Sequence, residues 1–380
     1  MRVFQILHKY KLYIDYFESR YDVEELQFKE HLKILIEDRF YGCHILKPCI
    51  NMDKDSFYTM WNYENLQLKW AKENGLNTEN MYEILFAQIE EFQPDVFYNM
   101  SPIFFKKSDL EKNISKSILK IAWFASPEMN NIEFDAYKTR LTNYPPDVTN
   151  SNAKKGFRSD LFNPSFDEKF DEFNIPNEKR SNTLLFYGQY LKSGFDFRND
   201  DIDKLLEYKI NTKSNISIHL QYSETSVVRN KTIGKVFRKL KLNTNSSIFY
   251  VKHPKKLVTK NSDAPLFGLD LHSALTNAKM VFNFPVDFTG KYNVNMRNFE
   301  ALSAGCHLIT KRGIYPEGFI ENVHYSGFDN FNDFIKVLKY YEMHPELSRE
   351  IAKKGNAMIR DLYSKENQWE KFKKIVSEVG

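Results

Sequence analysis

The chain has 380 residues, 42% of them hydrophobic and 15% aromatic, so it is long enough for two domains that each bury a core. Its net charge of +4 argues against a nucleic-acid partner, since such binding favours a larger basic excess. Three cysteines without a CxxC spacing argue against a disulfide framework or a zinc site. The sequence shows no signal-peptide core and no apolar run long enough to span a bilayer, so we expect a cytoplasmic protein.

Strand-like and helix-like segments alternate along the chain, which predicts an α/β fold with mostly parallel sheets. The segment from about Asn150 to Asn182 is polar with little periodicity and predicts the link between two halves. We expect a first Rossmann-like domain at 1–165, a linker at 166–182, a second Rossmann-like domain at 183–362 and a C-terminal helix at 363–380 that packs back on the first domain. The elements predicted in the first half are strands at Val3–Leu7, Val96–Tyr98 and Leu119–Phe124 and helices at Glu24–Asp38, Asn65–Glu73 and Met81–Phe92.

The second half repeats the same alternation of strand and helix. Its predicted strands are Leu184–Gly188, Ile216–Leu220, Ile248–Val251, Met280–Phe284 and His307–Thr310. Its predicted helices are Asp201–Tyr208, Val227–Leu242, Leu269–Thr276, Asn298–Ala304, Asn332–Tyr341 and Pro345–Leu362.

Ligands of open α/β sheets bind at the carboxyl ends of the strands. The loop after the first strand, His8–Lys11, contains no glycine, which argues against a NAD or FAD site in the first half, and the chain has no Walker A sequence. His8 would face the cleft between the domains, where a general base can activate an acceptor hydroxyl. A polar loop residue without a catalytic role is the other interpretation of His8.

The most informative segment is Asn295–Gly305. It places Arg297 and Glu300 three residues apart, on one face of a helix start. A helix N-terminus favours anions, and a guanidinium is a bidentate donor to phosphate. Because a carboxylate accepts hydrogen bonds from both hydroxyls of a ribose, the two side chains predict a nucleoside-diphosphate clamp. An ordinary Arg–Glu pair on a solvated helix fits the spacing equally well.

Several segments of the last third resemble the C-terminal half of the CgeB-like glycosyltransferases, relatives of the large retaining family 4. They are Pro265–Asp270, Asn295–Gly305, Tyr315–Phe319 and Ile351–Gly355, with weaker similarity at Leu66–Ala71 and Gln93–Tyr98. The resemblance implies a GT-B fold, with two Rossmann-like domains facing across a cleft and the donor bound to the second. It also implies a metal-independent enzyme with no cofactor, a UDP- or GDP-sugar as co-substrate and a glycan, lipid-linked or protein acceptor, in cell-surface polysaccharide or glycoconjugate synthesis.

The resemblance assigns roles to residues of the second half. Glu300 matches the carboxylate that holds the donor ribose, and Arg297 would face the diphosphate as the catalytic cation. Gly188 matches the turn beside the donor phosphates. Asn295 and Met296 begin the same helix and join the donor site.

The resemblance also points to two further segments. Phe267, Gly268 and Leu269 match the loop that usually touches the base. Lys192 and Arg198 follow the turn at Gly188, where either could reach a phosphate, although a solvated surface fits each of them as well.

This sequence departs from the family at one position. Family 4 enzymes often carry a second glutamate eight positions before the ribose-binding one, and here that residue is Tyr292. The sugar hydroxyls must therefore be held differently, which leaves the sugar and the stereochemical outcome open. A non-catalytic nucleotide- or sugar-binding protein, an epimerase and a hydrolase remain alternatives.

Three residues near the end of a first-half strand are candidates for acceptor contacts: Trp123, Ser126 and Glu128. Trp123 could stack on a sugar ring, and core packing is its alternative use. Asp201-Ile-Asp203 has the DxD form of a metal site, but Asn199–Asp201 opens a predicted helix. We therefore interpret these side chains as helix caps and expect no metal.

One basic segment, from Lys231 to Lys241, predicts an amphipathic helix with a cationic outer face. A solvated face and a patch that contacts anionic lipid are both open interpretations. The second would place the protein at the inner face of the membrane as a peripheral protein.

Overall fold

The computed structural model describes residues 1–125, 132–154, 157–190, 196–222, 226–229, 249–252, 255–285 and 289–380. Within these residues the chain forms two parallel sheets, one in each half. Both sheets carry helices on their faces, as parallel sheets built from crossover connections do.

The first half contains one six-stranded sheet. Its strands are β1 (Val3–Leu7), β2 (Ser56–Met60), β3 (Val96–Asn99), β4 (Leu119–Trp123), β5 (Thr139–Thr142) and β6 (Ser159–Leu161). They are parallel and lie in the order β2-β1-β3-β4-β5-β6. Its helices are α1 (Lys11–Arg20), α2 (Phe28–Glu37), α3 (Lys47–Ile50), α4 (Glu64–Glu73), α5 (Met81–Phe92), α6 (Lys107–Asn113) and α7 (Pro145–Lys154).

The second half contains a five-stranded parallel sheet and a two-stranded antiparallel pair. The strands are β7 (Asn182–Tyr190), β8 (Ile216–Tyr222), β9 (Ser226–Arg229), β10 (Phe249–Lys252), β11 (Ala278–Asn283), β12 (His307–Lys311) and β13 (Ser326–Phe328). The sheet order is β13-β12-β11-β7-β8, and β9 pairs with β10. The helices are α8 (Asp196–Thr212), α9 (Lys256–Asn261), α10 (Gly268–Thr276), α11 (Met296–Ser303), α12 (Phe331–Met343), α13 (Pro345–Leu362) and α14 (Lys365–Val379).

Local sequence explains the elements that were predicted best. All five residues of β1 are buried, as expected of a central strand covered on both faces. Helix α5 begins where the Asn80 side chain accepts a hydrogen bond from the backbone N–H of Tyr82. It ends at Gln93, which adopts a left-handed conformation with φ +49° ahead of Pro94.

Both sheets reverse their winding direction once, and this reversal positions the site. In the first sheet it lies between β1 and β3, and in the second between β7 and β11. At such a point the loops leave neighbouring strands in opposite directions and open a crevice at the carboxyl ends. The strand order therefore places a crevice after β1 in one half and after β7 in the other.

The chain crosses between the halves twice, and the two crossings touch. The backbone N–H of Phe166 donates to the carbonyl of Tyr363 at 2.6 Å. The ammonium of Lys365 donates to the carbonyls of Gly42 and Ile45 at 2.5 Å each. Helix α14 then places Phe372 in the hydrophobic core of the first half.

The structure corrects several of the sequence-based assignments. The polar segment from Asn150 is not wholly a link, because β6 (Ser159–Leu161) adds a sixth strand to the first sheet. A strand of three residues is too short for alternation to show in the sequence. The helix predicted at Val227–Leu242 is wrong at its start, since Ser226–Arg229 is a strand. The rest of that segment, 230–248, lies outside the described residues.

The DxD segment is also placed differently from the prediction. Helix α8 begins at Asp196, so Asp201 lies in its second turn and does not cap it. The carboxylate of Asp203 instead accepts hydrogen bonds from the hydroxyl of Tyr190 and the ammonium of Lys255. Within the described ranges, no group of three or more His, Cys, Asp or Glu side chains is placed to hold a metal ion.

Candidate active site

A cavity of about 260 Å³ lies between the two halves, and we call it the interdomain cavity. The first half lines it with residues that follow β1 and α2, including Tyr10 and Tyr41. A concave pocket between two domains is the usual place for a small-molecule ligand. Of the residues predicted for the donor site, those that line it are Gly188, Phe267, Gly268, Asn295, Met296, Arg297 and Glu300.

Two guanidinium groups converge on Gly188, the glycine near the end of β7. A Cβ on this residue would lie 2.6 Å from Nη2 of Arg198 and 3.0 Å from Nη2 of Arg297. Arg198 comes from the first turn of α8 and is buried, whereas Arg297 comes from the start of α11 and is half-buried. Among the described residues no carboxylate lies within ion-pair distance of Arg297. The two guanidinium groups make this point electropositive, and Arg297 is the one of the two that lines the cavity.

Helix α11 presents its N-terminus to the same place. Its first residue, Met296, lines the interdomain cavity, and the side chain of Asn295 does not cap the helix. Asn295 is instead held by Asn283 at the end of β11, whose amide donates to its Oδ1 at 3.0 Å. The positive end of the helix dipole therefore faces the cavity beside Arg297.

Glu300 lies one turn into α11, with only 9% of its surface exposed. Its Oε2 accepts a hydrogen bond of 2.7 Å from the hydroxyl of Tyr187. Burial raises the pKa of Glu300, while the hydrogen bond from Tyr187 and the positive charge of Arg297 act in the opposite direction. The carboxylate is thus fixed by one oxygen, and Oε1 has no hydrogen bond to any described residue.

The first half caps the helix that carries the predicted base-binding loop. Asp38, at the end of α2, accepts hydrogen bonds from the hydroxyls of Tyr13 and Tyr21 at 3.0 Å, and its carboxylate lies against the N-terminus of α10. A side chain at Gly268, where φ is +50°, would overlap this carboxylate. Leu269 does not line the cavity.

Two further contacts hold α10 against the first half. Arg20 donates to the carboxylate of Asp270 at 2.5 Å. The ring of Phe267 packs among those of Tyr13 and Phe40, with centroids 6.0 Å away in both cases. The two domains are therefore joined along the wall of the cavity that Phe267 forms.

A cluster of charged side chains also contributes to the lining of the cavity. Asp167, from the first crossing of the chain, lies 3.6 Å from Nε of Arg39 and 3.6 Å from Nε2 of His272. Burial alone would raise the pKa of Asp167, but His272, Lys365 and Arg39 lower it to about 2. Burial lowers the pKa of Lys365 to about 8. These charges compensate one another where the two crossings meet.

Two residues predicted to face the acceptor, His8 and Trp123, do not line the interdomain cavity. His8 is half-buried, its Nδ1 lies 3.0 Å from the hydroxyl of Ser101, and its ring packs against those of Tyr10 and Phe104. Burial lowers the pKa of His8. Trp123 packs on the first core, with its ring 4.6 Å from that of His44.

Several predictions concern residues outside the described ranges. Lys192, Ser126, Glu128 and the basic segment Lys231–Lys241 are among them, so their roles stay predictions. No helix in the part of the chain that the structure describes combines the length and the apolar composition needed to cross a bilayer.

Tyr292, which replaces a family glutamate, lies at the contact between the domains. Its ring meets that of Tyr144 edge to face at 5.5 Å. Beside it, the side-chain amide of Asn143 donates to the carbonyl of Val294 at 2.6 Å. Tyr292 does not line the cavity, so in this structure it joins the domains rather than extending the donor wall.

Sequence reasoning missed several residues of the site. Tyr187 directly precedes Gly188 in a predicted strand, and this position next to the glycine was the available signal. Asp38 and Asp167 lie more than one hundred residues from their partners in α10, and their local sequence carries no sign of those contacts.

One segment of the chain matches a known protein family. Residues 228–374 match the protein-family model described as glycosyl transferase-like. This segment contains Arg297 and Glu300 but covers less than half of the chain. No curated protein sequence matches the chain.

Solved structures establish the fold. HepE of Anabaena, solved with UDP-glucose, is 8% identical with a TM-score of 0.57, and 100% of each chain is covered. An α-glucosyltransferase solved with UDP and DNA is 10% identical with a TM-score of 0.58 over 99% of each chain. TarM of S. aureus, solved with UDP, is 13% identical with a TM-score of 0.51 over 78% of this chain, which spans 58% of the length of TarM. The predicted GT-B fold, two Rossmann-like domains facing across a cleft, is confirmed.

Proposed function

We propose that this protein is a glycosyltransferase that moves a sugar from a nucleoside diphosphate sugar to a hydroxyl of an acceptor. The convergence of Arg198 and Arg297 at Gly188, beside the buried carboxylate of Glu300, carries the proposal. Two guanidinium groups suit a diphosphate, and a carboxylate suits the diol of a ribose. The match of residues 228–374 and the solved neighbours that hold UDP or UDP-glucose support the same substrate class.

In this reaction the acceptor oxygen bonds to the anomeric carbon of the sugar, and the bond from that carbon to the β-phosphate oxygen breaks. The nucleoside diphosphate leaves with the bonding electrons. Arg297, Arg198 and the N-terminus of α11 would stabilise the negative charge that develops on it. The acceptor proton would pass to a base, for which His8 is our candidate. His8 packs behind Tyr10, which lines the cavity, and burial lowers its pKa and so favours the neutral imidazole.

The finer assignment follows the resemblance to CgeB-like enzymes. We infer a UDP- or GDP-sugar as donor and a metal-independent reaction, because the two arginines and the helix dipole can take the place of a divalent ion. The acceptor would be a glycan, a lipid-linked sugar or a protein, in cell-surface polysaccharide or glycoconjugate synthesis in the cytoplasm. A closed cleft would exclude water, since hydrolysis of the donor competes with transfer.

The first test is a thermal-shift panel of UDP, GDP, CDP, ADP and dTDP with their common sugars, with and without EDTA. A ligand that binds only the native state raises the melting temperature. We expect one nucleotide family to stabilise the protein, with or without EDTA, and Glu300→Ala to abolish that stabilisation. If no nucleotide stabilises the folded protein, the proposal is wrong.

A second prediction concerns the arginine at the start of α11. Arg297→Ala should slow transfer even at saturating donor, because charge-assisted hydrogen bonds of about 1.5–3 kcal/mol would be lost as the diphosphate leaves. That loss corresponds to a rate lower by roughly 10- to 150-fold. Arg312→Ala is the matched control, since it removes the same charge from an exposed ion-pair cluster in the same half. Equal kinetics in the two variants would contradict the role of Arg297.

The products distinguish the alternatives. Release of nucleoside diphosphate only in the presence of an acceptor indicates transfer. Release of free sugar without an acceptor indicates a hydrolase, and conversion to an isomeric donor indicates an epimerase. Binding without any consumption indicates a non-catalytic protein.

A further inference from the structure

The geometry points to Tyr187 as a positioning residue that sets the ribose carboxylate and the diphosphate cation of the donor site at the same time. The inference rests on the proposed function and deepens it. No motif of the sequence assigns a role to this side chain, which belongs to the sheet rather than to the helix that carries Arg297 and Glu300.

The first contact of Tyr187 is with the carboxylate. Its hydroxyl donates to Oε2 of Glu300 at 2.7 Å, and both side chains are buried. Because Oε2 is held by this hydrogen bond, the carboxylate has a single orientation, and Oε1 remains for a ligand hydroxyl. A carboxylate without this bond could rotate and would present either oxygen, so part of the orientation would be lost on ligand binding.

The second contact is with the cation. The guanidinium carbon of Arg297 lies 5.8 Å from the centroid of the Tyr187 ring, within cation–π range. The next residue along β7 is Gly188, where Nη2 of Arg297 approaches the backbone. One side chain on a rigid strand therefore fixes the distance between the group that would hold the ribose and the group that would face the diphosphate.

The charged surroundings of Glu300 come from four other elements as well as β7. Burial raises the pKa of Glu300, and the hydrogen bond of Tyr187 opposes this more than any other contact. Loss of the hydroxyl therefore moves protonation of the carboxylate to higher pH. The other titratable groups that face Glu300 are Arg297 on its own helix, His272 on α10, Asp167 at the first crossing, and Tyr41 and Cys43 in the turn before α3.

The test is Tyr187→Phe, which keeps the ring against Arg297 and removes only the hydroxyl. The probe is the nucleoside diphosphate that stabilises the wild-type protein, titrated calorimetrically from neutral pH down to about pH 5. We expect roughly tenfold weaker binding at neutral pH. We also expect affinity to fall at higher pH than in the wild type, since Glu300 protonates earlier. Titration of the probe's own phosphate is common to both proteins and cancels in the comparison.

The matched control is Tyr190→Phe. Tyr190 lies on the same strand, is buried, and donates its hydroxyl to the carboxylate of Asp203, but it does not line the cavity. This variant should keep the wild-type affinity and pH profile. A second readout is the preference for the ribonucleotide over its 2′-deoxy analogue, which Tyr187→Phe should reduce and Tyr190→Phe should leave unchanged.

The outcomes separate the inference from the proposed function. Wild-type protein that binds no nucleotide overturns both. If the wild-type protein binds the nucleotide, and Tyr187→Phe binds it with the same pH profile and the same ribose preference, the inference alone is overturned. If Tyr187→Phe does not fold, difluorotyrosine placed at 187 tests the same point. Its more acidic hydroxyl should move the acid limb of binding to lower pH, and a limb that stays in place contradicts the role of Tyr187.

Discussion

Gly188→Ala is the sharpest perturbation of the proposed donor site. The added Cβ would lie 2.6 Å from Nη2 of Arg198 and 3.0 Å from Nη2 of Arg297. Since non-bonded heavy atoms pack at about 3.5 Å, the two guanidinium groups must withdraw by roughly 0.5–1 Å. A single methyl group would therefore disturb both cations without removing either charge.

The size of the effect follows from these distances. A charge-assisted hydrogen bond contributes about 1.5–3 kcal/mol, and a displacement near 1 Å forfeits much of one such bond. A loss of about 2 kcal/mol weakens nucleoside diphosphate binding roughly 30-fold. The backbone adds a second cost, because φ at Gly188 is +157°, a value that L-residues rarely adopt.

The control is Gly75→Ala, which separates the two costs. Gly75 has φ +68°, and a Cβ there would meet no atom within 4 Å. Both variants should therefore lose stability through backbone strain, of about 1–2 kcal/mol in calorimetric unfolding. Only Gly188→Ala should weaken the binding of the nucleoside diphosphate in isothermal titration. Equal binding by Gly188→Ala and the wild type would refute the assignment of the diphosphate to the position beside Gly188.

Two further predictions concern domain closure and pH. Arg20→Ala breaks the half-exposed ion pair with Asp270, so it should cost less than about 1 kcal/mol of stability and yet speed nucleotide release in stopped-flow measurements. Lys11→Ala, which removes an ion pair within α1, should leave nucleotide release unchanged. Equal release rates in the two variants would show that the Arg20–Asp270 ion pair does not hold the domains closed. Burial lowers the pKa of His307 from 6.5 to about 3, so the unfolded chain binds more protons between these values, and stability should fall as pH drops through them. His307→Gln should reduce the dependence of the unfolding free energy on pH, as measured by urea unfolding. An unchanged dependence would contradict its assignment to His307.

The elements predicted well were those whose signal is local. Helix α5 has its bounds as predicted because a capping asparagine and a residue before proline define its ends. Strand β1 and helix α13 also begin and end where the pattern placed them. Strands β6 and β13 were missed because three residues are too few to show alternation, β2 and β5 were also missed, and α1 was missed because its apolar residues form no clear stripe.

The residues of the candidate site also differ in whether their local sequence predicts them. Arg297 and Glu300 could be found from sequence, since their spacing, the helix start and the resemblance are all contained in one short segment. Arg198 follows the turn at Gly188 in sequence, but its approach to that glycine depends on how α8, whose first turn carries it, packs. The metal-like pattern at Asp203 is explained by its partners Tyr190 and Lys255.

The sequence by itself determined the alternation of strands and helices, the two-domain α/β class and the pair of charged residues at the start of α11. Each depends on periodicity or on residues a few positions apart. The tertiary structure alone decided the contacts that shape the cavity. Tyr187 is hydrogen-bonded to Glu300, Asp38 lies at Leu269 near the N-terminus of α10, and Asp167 lies beside His272. These pairs join residues from 105 to 231 positions apart, so no local pattern records them; they exist because strand order and domain packing bring distant segments together.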